Sequence, residues 1–180
     1  MKLVSIFGKN LFASKYTGNA KNEFRRLFDL WTDPEELDEF FEKNKKDITN
    51  GFYGTIPIED AIFKTIKDAV EFEEKFKNLE KKRADEQLET LSTLFEPLHE
   101  PNEKLIALEQ SKSKSSWLRL YGLKVDNDVF IITGGAIKLT RSMQYRKHTN
   151  KELKKIRSVR DYLIGKNIIK KEDIVTQIEI

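Results

Sequence analysis

The chain has 180 residues, no cysteine, two histidines and a formal net charge of +3. The composition excludes disulfides and thiolate metal sites, and two histidines are too few for an ordinary zinc centre. No apolar run approaches the roughly 20 residues needed to cross a bilayer, and the N-terminal apolar run is too short for a signal peptide. A cytoplasmic protein with one full core is expected, burying roughly 70% of the unfolded chain's surface. Charge is unevenly placed. Residues 1–100 hold 16 Lys/Arg against 21 Asp/Glu, a balance of −5, and residues 101–180 hold 17 against 9, a balance of +8. That asymmetry fits a basic working half facing a polyanion, carried by an acidic scaffold half, and equally a well-solvated Lys-rich surface.

In chain order, KLVSIF at residues 2–7 alternates and reads as a strand. Gly8 to Gly18 reads as a loop. Ala20, Phe24, Leu27, Phe28 and Trp31 then fall on one face of a helix. Asp33-Pro34-Glu35-Glu36 opens a second helix, with Asp at N-cap and Pro at N1. Its inner face is Leu37, Phe40 and Phe41. FYGTIPI is extended, because Pro57 restricts Ile56. From Glu59 onward Ile62, Ile66, Ala69, Phe72, Phe76 and Leu79 form a stripe, continued by Ala84, Leu88, Leu91 and Phe95. The spacing predicts an α-hairpin over residues 59–95, stopped by Pro97 and Pro101. KLIAL at 104–108 fits a strand or a short helix, and EQSKSKSS reads as a polar loop.

The strongest local signal is residues 117–163. WLRLYGLKV and VFIITGGAIKLT have strand chemistry. Asp126-Asn127-Asp128 between them favours a turn, so a hairpin of 117–125 with 129–140 is expected. By alternation Arg119 shares a face with Trp117, Tyr121, Leu123 and Val125. Lys138 points away from the core if no bulge intervenes. Thr149 with Glu152 three residues on predicts a capping box for the last long helix, and Gly165 a left-handed end. That helix turns Leu153, Ile156, Val159, Tyr162 and Leu163 inward and leaves Lys151, Lys154, Lys155 and Arg157 mostly outside. The tail 166–180 alternates like an edge strand or serves as a docking arm. Without a linker or repeat, one α+β domain spans 1–180.

Gly134-Gly135 is no phosphate loop, since no GK[ST] follows. A glycine pair inside a strand marks a bulge or a close backbone approach. Asp126 and Asp128 are better explained by the turn than by a metal. Cations concentrate near the last helix: Lys138, Arg141, Arg146 and Lys147, with His148. Cations gathered at a strand-to-helix junction suit a phosphate. Lys112 and Lys114 in the polar loop, with Arg146 and Lys147, are candidate RNA contacts.

LRLYGLKVDNDVFIITGGAIKLT followed by a helix resembles the RelE/HigB superfamily of ribosome-dependent mRNA-cleaving toxins, in its HigB-like, phage-derived toxin-like branch. Arg119 stands at the position of that family's strand arginine. Ala136-Ile137-Lys138-Leu139-Thr140 stands at its lysine element, with Leu139 where a second Lys belongs. The resemblance spans residues 55–165, leaving 1–50 as an N-terminal strand and helical extension and 166–180 as a tail. It implies a small, mostly antiparallel sheet backed by an α-hairpin. It also implies the toxin of a type II toxin–antitoxin system, an endoribonuclease needing no metal or cofactor. Its partners would be mRNA, the ribosome and a helix-turn-helix antitoxin. Within that frame Arg119 and Arg141 are assigned to the scissile phosphate, and Lys138 to the phosphate or to base work. His148 is the general acid, with Tyr145 in reserve. The alternative is a non-catalytic member that binds RNA or protein.

Overall fold

The computed structural model describes residues 1–49, 51–84, 90–98, 106–112, 116–141 and 146–178. Lys114 and Tyr145 therefore lie outside the described residues. Within them the protein is α+β, with a six-stranded sheet in the order β1-β2-β6-β5-β4-β3. The strands are β1 (Lys2–Phe7), β2 (Leu11–Lys15), β3 (Phe95–Pro97), β4 (Ala107–Lys112), β5 (Leu118–Asp126) and β6 (Val129–Ile137). Every neighbour pair is antiparallel except β2 with β6. The helices are α1 (Glu23–Trp31), α2 (Pro34–Lys43), α3 (Lys45–Thr49), α4 (Ile58–Ala84), α5 (Lys147–Gly165) and α6 (Lys171–Ile178).

The β5–β6 hairpin lies at the middle of the sheet, as its composition predicts. Asp128 takes the left-handed turn position at φ 56°. Its carboxylate accepts from Ser92 N, while the Asp126 carboxylate accepts from the amides of Asn127 and Lys171. Both aspartates thus organise backbone. All nine residues of β6 are buried. Such a strand has a core on each face and shows no alternation. One face carries α1, α2 and α4, and its core includes Phe28, Trp31, Phe41, Phe72, Leu120 and Ile132. The other carries α5 and α6, over Phe12, Leu123, Ile131, Ile156 and Ile174.

A bulge in β6 decides which side chains meet. Tyr121 pairs with Gly134, but Gly122 pairs with Ile132, so Thr133 is the extra residue. Each extra residue shifts the side-chain parity by one. Phe130 and Ile132 therefore face α1, α2 and α4, whereas Gly134 and Ala136 face α5. The glycine pair also marks a close approach on both faces. A Cβ on Gly135 would stand 2.6 Å from the Arg119 carbonyl oxygen and 2.9 Å from Leu27 Cδ1, and one on Gly134 would strike the Glu152 carboxylate.

Several expectations need correction. Residues 8–18 are not all loop: LFASK forms β2, buried from Leu11 to Ser14. No α-hairpin over 59–95 occurs among the described residues. α4 runs on as one helix through Ala84, and Leu91 and Phe95 belong to a 3-10 turn and to β3. Phe95 leaves helical spacing because it stacks on Phe130, with centroids 4.3 Å apart. Pro97 is tolerated because β3 is an edge strand. The first half of the expected EQSKSKSS loop, up to Lys112, belongs to β4.

Trp117 leaves the Arg119 face and donates its indole N–H to Thr65 on α4, at 3.0 Å. α5 starts at Lys147, so Thr149 lies inside it and donates to the Arg146 carbonyl. Its end is a Schellman arrangement with Asn167, not Gly165, at φ 57°, and Ile168 N reaches Leu163 O at 2.9 Å. The tail forms α6. There Asp173 reaches back to the amides of Ile169 and Lys170, the reciprocal half of a capping box.

Candidate anion-binding site

The parity switch at Thr133 has a direct consequence for Lys138. Its amide continues the ladder, donating to the Trp117 carbonyl at 2.8 Å. Its side chain falls on the same face as Arg119, two positions beyond Ala136, the cross-strand partner of Arg119. Lys112 is the partner of Arg119 on the other side, in β4. One row of cations thus crosses three strands. Glu96 of β3 ends the row. Its Oε1 accepts from Lys112 Nζ at 2.8 Å and from Gln110 Nε2 at 3.1 Å.

Arg119 is half-buried and held from behind. Its Nη1 donates to the carbonyls of Ser116 and Leu118, each at 2.8 Å. Those two bonds fix the orientation of the guanidinium, and no acidic partner meets it among the described residues. Burial lowers the Lys138 pKa from the ordinary lysine value, and the charges of Arg119 and Lys112 lower it further, while Glu96 works against them. The amine therefore has more neutral form near pH 7 than a solvated lysine. Tyr121, on the same face, is fully buried, and its hydroxyl has no hydrogen-bond partner among the described residues. Burial raises its pKa, against the pull of Arg119.

The rest of the basic segment goes elsewhere. Arg146 forms a two-pronged pair with the Asp47 carboxylate, with Nε to Oδ2 at 2.7 Å. The Arg146 bonds hold Asp47 below its usual pKa, against the effect of burial. Arg141 lies over the Phe52 ring, 5.6 Å from its centroid. His148 Nε2 is 3.0 Å from the Ile137 carbonyl oxygen, and its ring stands edge-on to Phe40 of α2. Lys147 is exposed in the first turn of α5. Arg146 and His148 thus clip the start of α5 to α3 and α2, while Arg141 lies against Phe52. Arg119, Lys138 and Lys112 form a separate neighbourhood, and the expected single cluster is two.

His148 also lines a cavity of about 330 Å³ between α1, α2 and β6, with Leu27, Leu30, Trp31, Phe40 and Ile137. Beside it lies a charged network. Glu23, only 1% exposed, takes two bonds from Arg26 at 2.8 Å and one from Lys155 at 2.7 Å. Lys155 also meets Glu152, which accepts from Gly135 N at 3.1 Å. Lys155 is therefore not an outside residue, and Glu152 is not a capping residue. Past Ile132 the β6 edge loses β2 as a ladder partner, and Tyr16, Glu152 and His148 supply hydrogen bonds to it instead. Burial would raise the Glu23 pKa, but the bonds and charges of Arg26 and Lys155 outweigh it and hold the group low.

Sequence reasoning missed Glu96 and Gln110. Glu96 fell between the end of the expected α-hairpin and Pro97, and Gln110 within an expected loop, so neither stood in an expected strand. No group of three or more His, Cys, Asp or Glu side chains that could hold a metal occurs among the described residues. No helix among them is long and apolar enough to cross a membrane. Comparison of the chain with protein-family models, with curated proteins and with solved structures finds no match.

Proposed function

We propose that the Lys112–Arg119–Lys138 row binds a phosphate of RNA, and that the protein is a metal-independent endoribonuclease of the RelE/HigB kind. The observation that carries this reading is the placement of Arg119 and Lys138 on one face, with the lysine amine shifted toward its neutral form. Arg119 and Lys112 neutralise the scissile phosphate. Preorganised donors of this type stabilise the charge that develops in the transition state. The neutral Lys138 amine accepts the proton of the adjacent 2′-OH. The 2′-oxygen then bonds to phosphorus, and the bond from phosphorus to the 5′-oxygen breaks to leave a 2′,3′-cyclic phosphate. The 5′-oxygen takes a proton from water, and the Lys138 ammonium returns its proton to the hydroxide so formed. On this reading the ribosome presents the mRNA, and a cognate antitoxin silences the enzyme in the cell.

One observation favours a second reading, a non-catalytic RNA-binding module. His148, the expected proton donor, bonds Ile137 and packs on Phe40. Addition of the purified protein to a translating extract separates the two. Primer extension on the translated message shows new 5′ ends if the protein is the nuclease. Intact message retained on the protein establishes the module. Intact message with no retention removes both.

A further inference from the structure

We propose that Glu96 is the resident counter-ion of the cation row, displaced from Lys112 when a phosphate binds, and that it thereby sets the affinity of the site for a polyanion. The inference rests on the reading of that row as a phosphate site and assigns its control to a residue outside the row.

Three observations carry it. First, Glu96 is placed by the fold. Its neighbour Phe95 is stacked on Phe130, and Glu96 is in register with Gln110. The carboxylate is thus held at the end of the row. Second, its hold on Lys112 is reversible. The two side chains are 44% and 49% exposed, and an ion pair open to water is weak and screened by salt. Third, both Lys112 and Gln110 converge on the same oxygen, Oε1. A phosphate oxygen arriving over Arg119 can take over the Lys112 ammonium, while Gln110 retains the carboxylate. Binding is then an exchange of one anion for another at Lys112. A carboxylate left beside the bound phosphate also opposes it, and this favours ligands that engage the whole row.

Glu96→Gln keeps the shape and an acceptor oxygen for Lys112 and Gln110, so β3 stays paired. It removes the competing charge. The test is fluorescence anisotropy with a labelled 2′-O-methyl oligoribonucleotide, which cannot be cleaved by 2′-OH attack. In the parent the displaced Glu96 carboxylate takes up a salt cation that offsets the one released from the phosphate. Without that charge the salt slope steepens by up to about 0.7 for a single strand, and affinity at 0.1 M salt rises up to about 5-fold relative to the 1 M limit. In a Lys112→Met background Glu96→Gln gives a smaller gain, because no displaced ammonium remains. If Arg119→Ala weakens binding of the parent but Glu96→Gln leaves affinity and slope unchanged or lowers them, the counter-ion role is wrong and the phosphate reading stands. If neither the parent nor Glu96→Gln binds the oligoribonucleotide, both fall. Binding by Glu96→Gln where the parent binds none establishes the inference in its strongest form.

Discussion

Lys155→Met removes a cation that α5 sends into the protein between two carboxylates. Its ammonium is 2.7 Å from Glu23 and 3.0 Å from Glu152, and 5.1 Å from the Tyr16 ring centroid. The side chains of Lys155, Glu23 and Glu152 are 19%, 1% and 11% exposed. With Arg26 the four charges balance. Without Lys155, Glu23 keeps Arg26, and among the described residues Glu152 keeps the Gly135 amide as its hydrogen-bond partner. Breaking a buried ion pair from one side costs about 3–5 kcal/mol, and the partial exposure of Lys155 reduces this to about 2–4 kcal/mol. For a chain of this size that lowers Tm by on the order of 10 °C. Urea unfolding followed by tryptophan fluorescence reads it well, since Trp31 and Trp117 are both fully buried. Lys154→Met, on the exposed face of α5, changes stability by no more than about 0.5 kcal/mol. If the two variants unfold at the same urea concentration, the network contributes nothing and the packing argument for α5 fails.

Gly135→Ala forces a methyl to within 2.6 Å of the Arg119 carbonyl and 3.1 Å of Trp31 Cη2, and costs about 1–3 kcal/mol in the same assay. Asp33→Ala removes the acceptor for the Glu35 and Glu36 amides and costs about 1 kcal/mol. Glu23 and Asp47 both have folded pKa values below their ordinary ones. The native state therefore binds fewer protons than the unfolded chain as acid is added. The stabilisation is complete above the ordinary carboxylate range near pH 4 and is lost as pH falls through the lower folded values. Urea midpoints measured from pH 7 to pH 3 should fall below about pH 4, and Asp47→Asn should lose part of that fall, along with some stability at pH 7.

The parts of the fold that were legible in sequence are those fixed by local chemistry. Asp33-Pro34 starts α2 because its carboxylate caps the next two free amides. Asp126-Asn127-Asp128 turns the hairpin because Asp128 tolerates a positive φ. What was not legible depends on distant partners. LFASK is short and buried on both faces, so neither period shows, and its pairing with β1 on one side and β6 on the other makes it a strand. Phe95 keeps helical spacing with Leu91 yet leaves the helix to stack on Phe130. Lys155 lies at the border of the α5 apolar face and is drawn inward by Glu23, 132 residues earlier.

The candidate site divides in the same way. Arg119 and Lys138 stand out by residue type on a strand pair. That they share a face depends on the Thr133 bulge, which has no clear mark in sequence beyond the glycines that follow it. Arg146 and His148 are drawn aside by Asp47 and Phe40, about a hundred residues earlier in the chain.

The most direct test of the phosphate site is the cleavage rate of translated mRNA by the parent, Arg119→Ala, Lys138→Ala and the double variant. Tm is measured alongside. Loss of the Arg119 donor lowers the rate about 100- to 1000-fold, and loss of the Lys138 base about 100- to 10,000-fold. Because Arg119 holds the phosphate that the 2′-oxygen attacks once Lys138 has taken its proton, the two act as a unit, and the double variant should be little slower than the slower single variant. Tm should fall by a few degrees at most in Arg119→Ala, which loses the bonds to the Ser116 and Leu118 carbonyls. In Lys138→Ala it should hold or rise, since a cation disfavoured in the folded state is removed. Single variants that cleave translated mRNA as fast as the parent, at unchanged Tm, would contradict the assignment of this row of cations as the site.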